Sequence, residues 1–213
     1  MTARDFPFPV PGLVHIGNRI EQLRPVGSGE RLRYEVWAGD PYDHPEGAAF
    51  GITSECSAPS GGVLWRETST YLSRGKPGGR GEGPAPAATH EPVGPWTGGV
   101  WEFPGEIGRA YAAVSGDRNP IHLSPLTAKV FGFPRAIARG MWTKARCLAE
   151  LERADRLPDA YRVDVAFKAP VPLPARVRFH AVETKGGGWA FLLAGGRDGT
   201  RTHPHGSVTP SEE

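Results

Sequence analysis

Through the first third of the chain, apolar and polar positions follow the pattern of half-buried strands. RLRYEVWAG (31–39), AAFGITSECSA (48–58) and VLWRETSTYLS (63–73) are rich in β-branched and aromatic residues and are bounded by Gly, Pro and Asp. SAPSGG (57–62) supplies turn residues for a hairpin between the last two. No amphipathic helix pattern appears before residue 74.

The pattern then breaks. Residues 74–95, RGKPGGRGEGPAPAATHEPVGP, hold almost no large apolar side chain and cannot offset the entropy of ordering, so they read as a flexible linker. It separates an N-terminal sheet segment (1–73) from a second segment (96–207), and 208–213 reads as a disordered tail. In the second segment GEIGRAYAAVS (105–115) suits a short helix that Gly116 can end in a left-handed conformation. MWTKARCLAELER (141–153) places Met141, Ala145, Leu148 and Ala149 on one helical face, with Cys147 beside it. YRVDVAFKAPV, ARVRFHAVE and GWAFLLAGG follow as three strand candidates.

The two segments also repeat. RIEQLRPVGSGERLRYEVW (19–37) aligns without gaps on DVAFKAPVPLPARVRFHAV (164–182), pairing Pro25 with Pro170 and Tyr34 with Phe179 at a constant offset of 145. This pattern predicts two copies of one sheet unit. The second copy carries a helical block (105–153) before its strands. The first copy has almost no chain in the equivalent place, so it is expected to lack its helix.

Composition narrows the function classes. Hydrophobic residues are 38% of the 213, and the formal charge is +2 without a basic run, which argues against a nucleic-acid partner. No apolar run approaches the roughly 20 residues that span a bilayer, and nothing resembles a signal peptide. Cys56 and Cys147 form neither a metal spacing nor a disulfide framework. A soluble chain in a reducing cytoplasm is the expectation.

Chemistry concentrates in YAAVSGDRNPIH (111–122), where Asp117, Asn119 and His122 crowd around Pro120. Five residues apart, Asp117 and His122 would diverge on a continuous helix, and Pro120 disfavours a helical Asn119. A loop that aims both side chains into one cavity is expected, where carboxylate and imidazole share a water for general acid–base work. Gly140, at the predicted helix start, offers an approachable amide where the helix dipole favours negative charge, an oxyanion site. Taken singly, Asp117 and Asn119 fit ordinary cap and turn chemistry, a lone His122 a structural imidazole, and Gly140 a helix start. It is their order before this helix that favours catalysis. His15, His44, His90, His180, His203 and His205 belong to no motif, and HPH (203–205) is too short for a metal site. Ser115 lacks a nucleophile-elbow context. The six Trp residues read as core or sheet-face packing.

YAAVSGDRNPIH followed by GFPRAIARGM resembles the signature of the MaoC-like (R)-specific enoyl-CoA hydratases and 3-hydroxyacyl-thioester dehydratases. The resemblance covers residues 96–207, and DFPFPVPGLVHIGNRIEQLRP is similar to the first half of double-hotdog members. It implies an α+β hotdog fold, an antiparallel sheet wrapped around a long central helix, as a double hotdog whose first copy lacks the helix. It implies reversible hydration of a trans-2-enoyl thioester of CoA or acyl carrier protein to the (3R)-3-hydroxyacyl thioester, with no cofactor and no metal. Asp117 and His122 would activate the water, and the Gly140 amide would bind the thioester oxygen. Asn119, Arg139 and Met141 would face substrate. Many members have His-Gly where this chain has Arg139-Gly140, and the added cation bears on substrate choice. A homodimer or heteromer is expected from the shortened first half. The rival readings are a hotdog thioesterase and a non-catalytic, heteromeric acyl-thioester-binding subunit.

Overall fold

A computed structural model of the chain describes residues 12–75, 78–79, 81–84, 91–196, 199 and 201–211. The chain divides into two compact units: Met1–Thr89 with Pro158–Ala166 and Val208–Glu213, and His90–Leu157 with Phe167–Ser207.

The first unit is built on antiparallel strands β1 (Val14–Gln22), β2 (Arg33–Ala38), β3 (Tyr42–His44), β4 (Gly47–Ser57) and β5 (Val63–Arg74). The three strands expected from β-branched and aromatic content are β2, β4 and β5, and the 57–62 turn closes β4 on β5 with Gly61 N–H donating to Ala58 O at 2.9 Å. Strand β7 (Tyr161–Phe167) pairs with β1 in the register Arg19↔Asp164, where Arg19 Nε donates to Asp164 Oδ1 at 2.5 Å. That pairing places 158–166 with the first unit, so the expected 96–207 domain is not one block. Among the described residues this unit contains strands and no helix. Its outer strand β2 is exposed along its whole length, including Tyr34, Val36 and Trp37.

The second unit holds β6 (Pro92–Phe103), α1 (Ile107–Ser115), α2 (Pro125–Val130), α3 (Gly140–Arg153), β8 (Ala175–Thr184), β9 (Gly188–Gly195) and most of β10 (Arg201–Pro210). Its core gathers Val177, Phe179 and Ala181 of β8, Phe191 and Leu193 of β9, and Cys147 and Leu151 of α3, all buried. The α3 face differs from expectation. Thr143, Lys144, Cys147 and Leu151 are inside, whereas Ala145 and Ala149 are exposed. Apolar counting missed this face because half of it is Thr and Lys.

The repeat is visible in the topology. Strand order β2-β4-β5-β1 in the first copy recurs as β8-β9-β10-β7 in the second. Two boundaries need correction. Residues 92–95 begin β6, paired to β8 from Pro92↔Thr184, so they are sheet and not linker. Of the rest of that stretch, Gly81 N–H donates to Pro41 O at 2.9 Å, while 76, 77, 80 and 85–90 lie outside the described residues. Residues 208–210 end β10 with Val208 buried, so the expected tail begins as strand. The six tryptophans also divide. Trp101 stacks on Phe179 at 4.6 Å and Trp142 meets Phe103 edge-on at 4.7 Å, but Trp37 and Trp96 lie exposed on outer strands.

Candidate active site

All of the candidate residues lie in the second unit. Helix α1 ends where the sequence predicts: Gly116 has φ 72°, and its N–H donates to Ala112 O at 3.1 Å. The chain then turns out of the helix axis. Asp117 Oδ1 accepts from Asn119 N–H at 3.1 Å, and Asn119 Oδ1 accepts from Ile121 N–H at 3.3 Å. Asn119 itself is extended (φ −56°, ψ 123°), as a residue before proline prefers, and Pro120–His122 form a single 3-10 turn. Asn119 therefore shapes the loop by capping that turn.

The loop is held on three sides. On the first, α1 lies so close that a Cβ on Gly108 would fall 1.7 Å from His122 O, and Arg109 Nη1 donates to Leu123 O at 3.2 Å. On the second, Ser124 caps α2 by accepting from Thr127 N–H, and Thr127 Oγ1 donates to Pro120 O at 2.6 Å. On the third is the segment 136–138. Ile137 N–H donates to Ile121 O at 3.1 Å, and His122 Nδ1 meets Ile137 O at 2.7 Å. That segment is pinned from its far side by Ala138 N–H to Val171 O and Leu173 N–H to Ala136 O.

The second bond to Ile137 decides the histidine's chemistry. A carbonyl oxygen can only accept, so Nδ1 carries the proton and Nε2 of the neutral ring keeps its lone pair. His122 is buried, and burial holds its pKa below the ordinary histidine value, with the Ile137 carbonyl opposing in part. A neutral imidazole with one basic nitrogen is what a general base near neutral pH requires.

Asp117 is placed differently. Its side chain is 55% exposed, and Arg139, whose own side chain is 9% exposed, reaches Asp117 with both terminal guanidinium nitrogens. Nη1 pairs with Asp117 Oδ2 and Nη2 donates to Asp117 O at 2.5 Å. Among the described residues the carboxylate's partners are thus Asn119 and Arg139, and no bond joins it to His122. The sequence placed Arg139 against substrate. The structure places it against Asp117.

Arg139 is also the N-cap of α3, extended at φ −71° and ψ 140°, and Gly140 is the first helical residue. The first four N–H groups of a helix have no intrahelical acceptor, so the Gly140 amide is available to an oxyanion. A Cβ there would fall 2.9–3.1 Å from the Phe167 ring, which makes glycine the residue that fits. Met141 follows, half-buried. Sequence reasoning missed Gly108, Ile137 and Phe167. Only Gly108 carried a readable signal, as a glycine inside a helical pattern. Among the described residues no three His, Cys, Asp or Glu side chains gather as a metal site, His203 and His205 included. No helix among them is long and apolar enough to cross a membrane.

The chain is similar to several known proteins. The MaoC-like domain family matches residues 106–190. The 3-hydroxyacyl-thioester dehydratase X of Mycobacterium tuberculosis is 37% identical over 210 residues, covering 98% of this chain and 72% of that protein. Among solved structures, HtdX of Mycobacterium tuberculosis superposes with TM-score 0.80 at 34% identity, covering 99% of this chain and 80% of its own. A MaoC-like dehydratase from Phytophthora capsici shares the fold, with TM-score 0.78 at 20% identity over 98% and 76% of the two chains.

Proposed function

Because this chain belongs to the MaoC-like dehydratase family, with its α+β hotdog fold, we propose that it catalyses reversible hydration of a trans-2-enoyl thioester to the (3R)-3-hydroxyacyl thioester. The observation that carries the reading is the pinned, neutral His122 in the loop with Asp117, before a helix whose first residue is Gly140.

In the hydration direction, Asp117 orients a water and His122 Nε2 takes its proton as the water oxygen bonds to C3. The electron pair of the C2–C3 double bond moves into the thioester, and the developing enolate oxygen accepts from the Gly140 N–H. As the enolate collapses, C2 takes up the proton that His122 Nε2 carries, so the base returns to its neutral form, a water is added in sum and no redox partner is involved. Dehydration is the same path reversed.

The exposed outer strand β2, with Tyr34, Val36 and Trp37, supports assembly as a dimer, because an uncovered edge invites pairing. Light scattering at micromolar concentration tests this, and a clean monomer contradicts it.

A panel of enoyl and saturated acyl thioesters separates the main reading from a hotdog thioesterase. Loss of the enoyl-thioester absorbance with retention of the thioester bond is the expected result. Free thiol released from the saturated substrate, with the enoyl band untouched, would replace hydratase by thioesterase.

A further inference from the structure

We infer that Arg139 is a positioning residue: it clamps the Asp117 loop to the start of α3, fixing the water-orienting carboxylate relative to the Gly140 amide. The inference rests on the hydratase reading and adds to it the part that holds the two reacting groups in register.

The geometry is that of a strap. Arg139 sits one residue before Gly140, and its backbone caps the helix: Thr143 N–H donates to Arg139 O at 3.0 Å. Its side chain then crosses to the other side of the site and takes Asp117 at two points, the carboxylate and the main-chain carbonyl. A bond to the carboxylate alone would hold a rotamer. The second bond, to the backbone, holds the loop itself. A planar guanidinium can make both at once, whereas a lysine ammonium is a point charge on a flexible stem. The strap is also sheltered, since Arg139 is 7% exposed while the Asp117 side chain faces solvent at 55%.

The clamp divides labour between the two candidate catalytic groups. One Asp117 oxygen accepts from Asn119 N–H and the other from Arg139, which leaves lone pairs on the carboxylate to hold a water. The Nε2 of His122 faces no such cation among the described contacts, and Ile137 has already fixed its tautomer. Asp117 therefore orients and His122 takes the proton. A cation spent on Asp117 is also not free to select substrate, so the arginine in place of the family's frequent histidine acts on rate more than on acyl preference.

The test combines kinetics with a readout that does not depend on turnover. Arg139→Met should lower kcat by about 10²-fold, the scale of a 1 Å misplacement, and leave KM for the enoyl thioester within about threefold. Arg139→Lys should fall between the two, and free guanidinium at low concentration should restore part of the Arg139→Ala activity. Because Arg139 acts through Asp117, the double variant Asp117→Asn/Arg139→Met should be no slower than Asp117→Asn alone. A rise in KM with kcat kept would make Arg139 a substrate-binding group, and multiplying effects in the double variant would make it independent of Asp117. Either overturns the clamp. Should Arg139→Met melt below assay temperature, Arg139→Lys carries the same double-variant comparison. Exchange of the Asn119 amide, whose acceptor is the clamped carboxylate, should quicken in the Arg139 variants, and unchanged exchange overturns the clamp on its own. Absence of turnover in the wild type would sink the hydratase reading and leave that exchange result to decide the strap.

Discussion

Gly108 offers a perturbation whose outcome can be worked from the structure. In an exposed helix, Gly→Ala should stabilise by up to about 1 kcal/mol through helix propensity. Here the new Cβ would sit 1.7 Å from His122 O, against an ordinary contact of 3.4 Å or more. The helix and the loop would have to separate by about 1.7 Å, and neither atom belongs to a flexible side chain that could turn aside. Overpacking of this kind costs about 1–3 kcal/mol, so the clash outweighs the propensity gain by up to about 2 kcal/mol. That corresponds to a Tm lower by up to about 8 °C for a chain of this size. The displacement falls on the carbonyl of a catalytic candidate, so kcat should drop by about 10²-fold, more than the lost stability alone explains. Gly105→Ala serves as the control, because a Cβ there meets nothing within 4 Å. Thermal melts and steady-state kinetics on both variants check the argument. A Gly108→Ala protein with wild-type Tm and wild-type kcat would refute the close approach of α1 to the loop.

The other predictions concern pH, the oxyanion and the buried thiol. Because burial depresses the His122 pKa, kcat/KM should rise with pH through a value below 6.5 and then level, and an inflection above 6.5 would contradict the buried neutral base. His203 and His205 are depressed by burial too, so thermal stability should be full above about 6.5 and decline as pH falls below it, where the unfolded chain binds more protons. The Gly140 amide can be isolated by relieving Phe167 first. Gly140→Ala/Phe167→Ala keeps the N–H, whereas Gly140→Pro/Phe167→Ala removes it at a helix position and after an extended residue that both accept proline. The second should be slower by about 10²–10³-fold, and equal rates would remove Gly140 from the oxyanion role. Cys147 is fully buried and its thiol is pushed up to about 12, so iodoacetamide should modify it only on unfolding; native-state labelling at that position, read by mass spectrometry, would contradict its packing.

What the sequence made legible follows from physics that acts locally. Gly116 and Pro120 bound the candidate loop through backbone preferences that need no tertiary context, and both behave as read. Strands β4 and β5 were legible from β-branched and aromatic content bounded by turn residues, although neither buries strictly alternate positions. Strand β6 gave no such signal: it is an outer strand, exposed from Pro92 to Gly99, and its prolines and glycines imitate a linker. Strand β10 hid for a related reason, since the residues it buries are His203, Pro204, Ser207 and Val208, with little apolar period. Helix α2 was missed although Ser124-Pro125 is an N-cap followed by proline at N1. The partner of Arg139 lies 22 positions away, and no local pattern encodes that distance. A cation beside Gly140 reads as a substrate contact until the fold shows which carboxylate it faces.

The account stands on the pairing of Asp117 and His122 as the groups that place and deprotonate the attacking water. The most direct measurement is the loss of enoyl-thioester absorbance, with a short and a longer trans-2-enoyl-CoA, for wild type beside Asp117→Asn and His122→Ala. The account predicts turnover by the wild type and a fall of about 10²–10⁴-fold in each variant, with Tm within a few degrees of wild type. Wild-type turnover that survives in both variants would contradict it and move the chemistry elsewhere in the molecule.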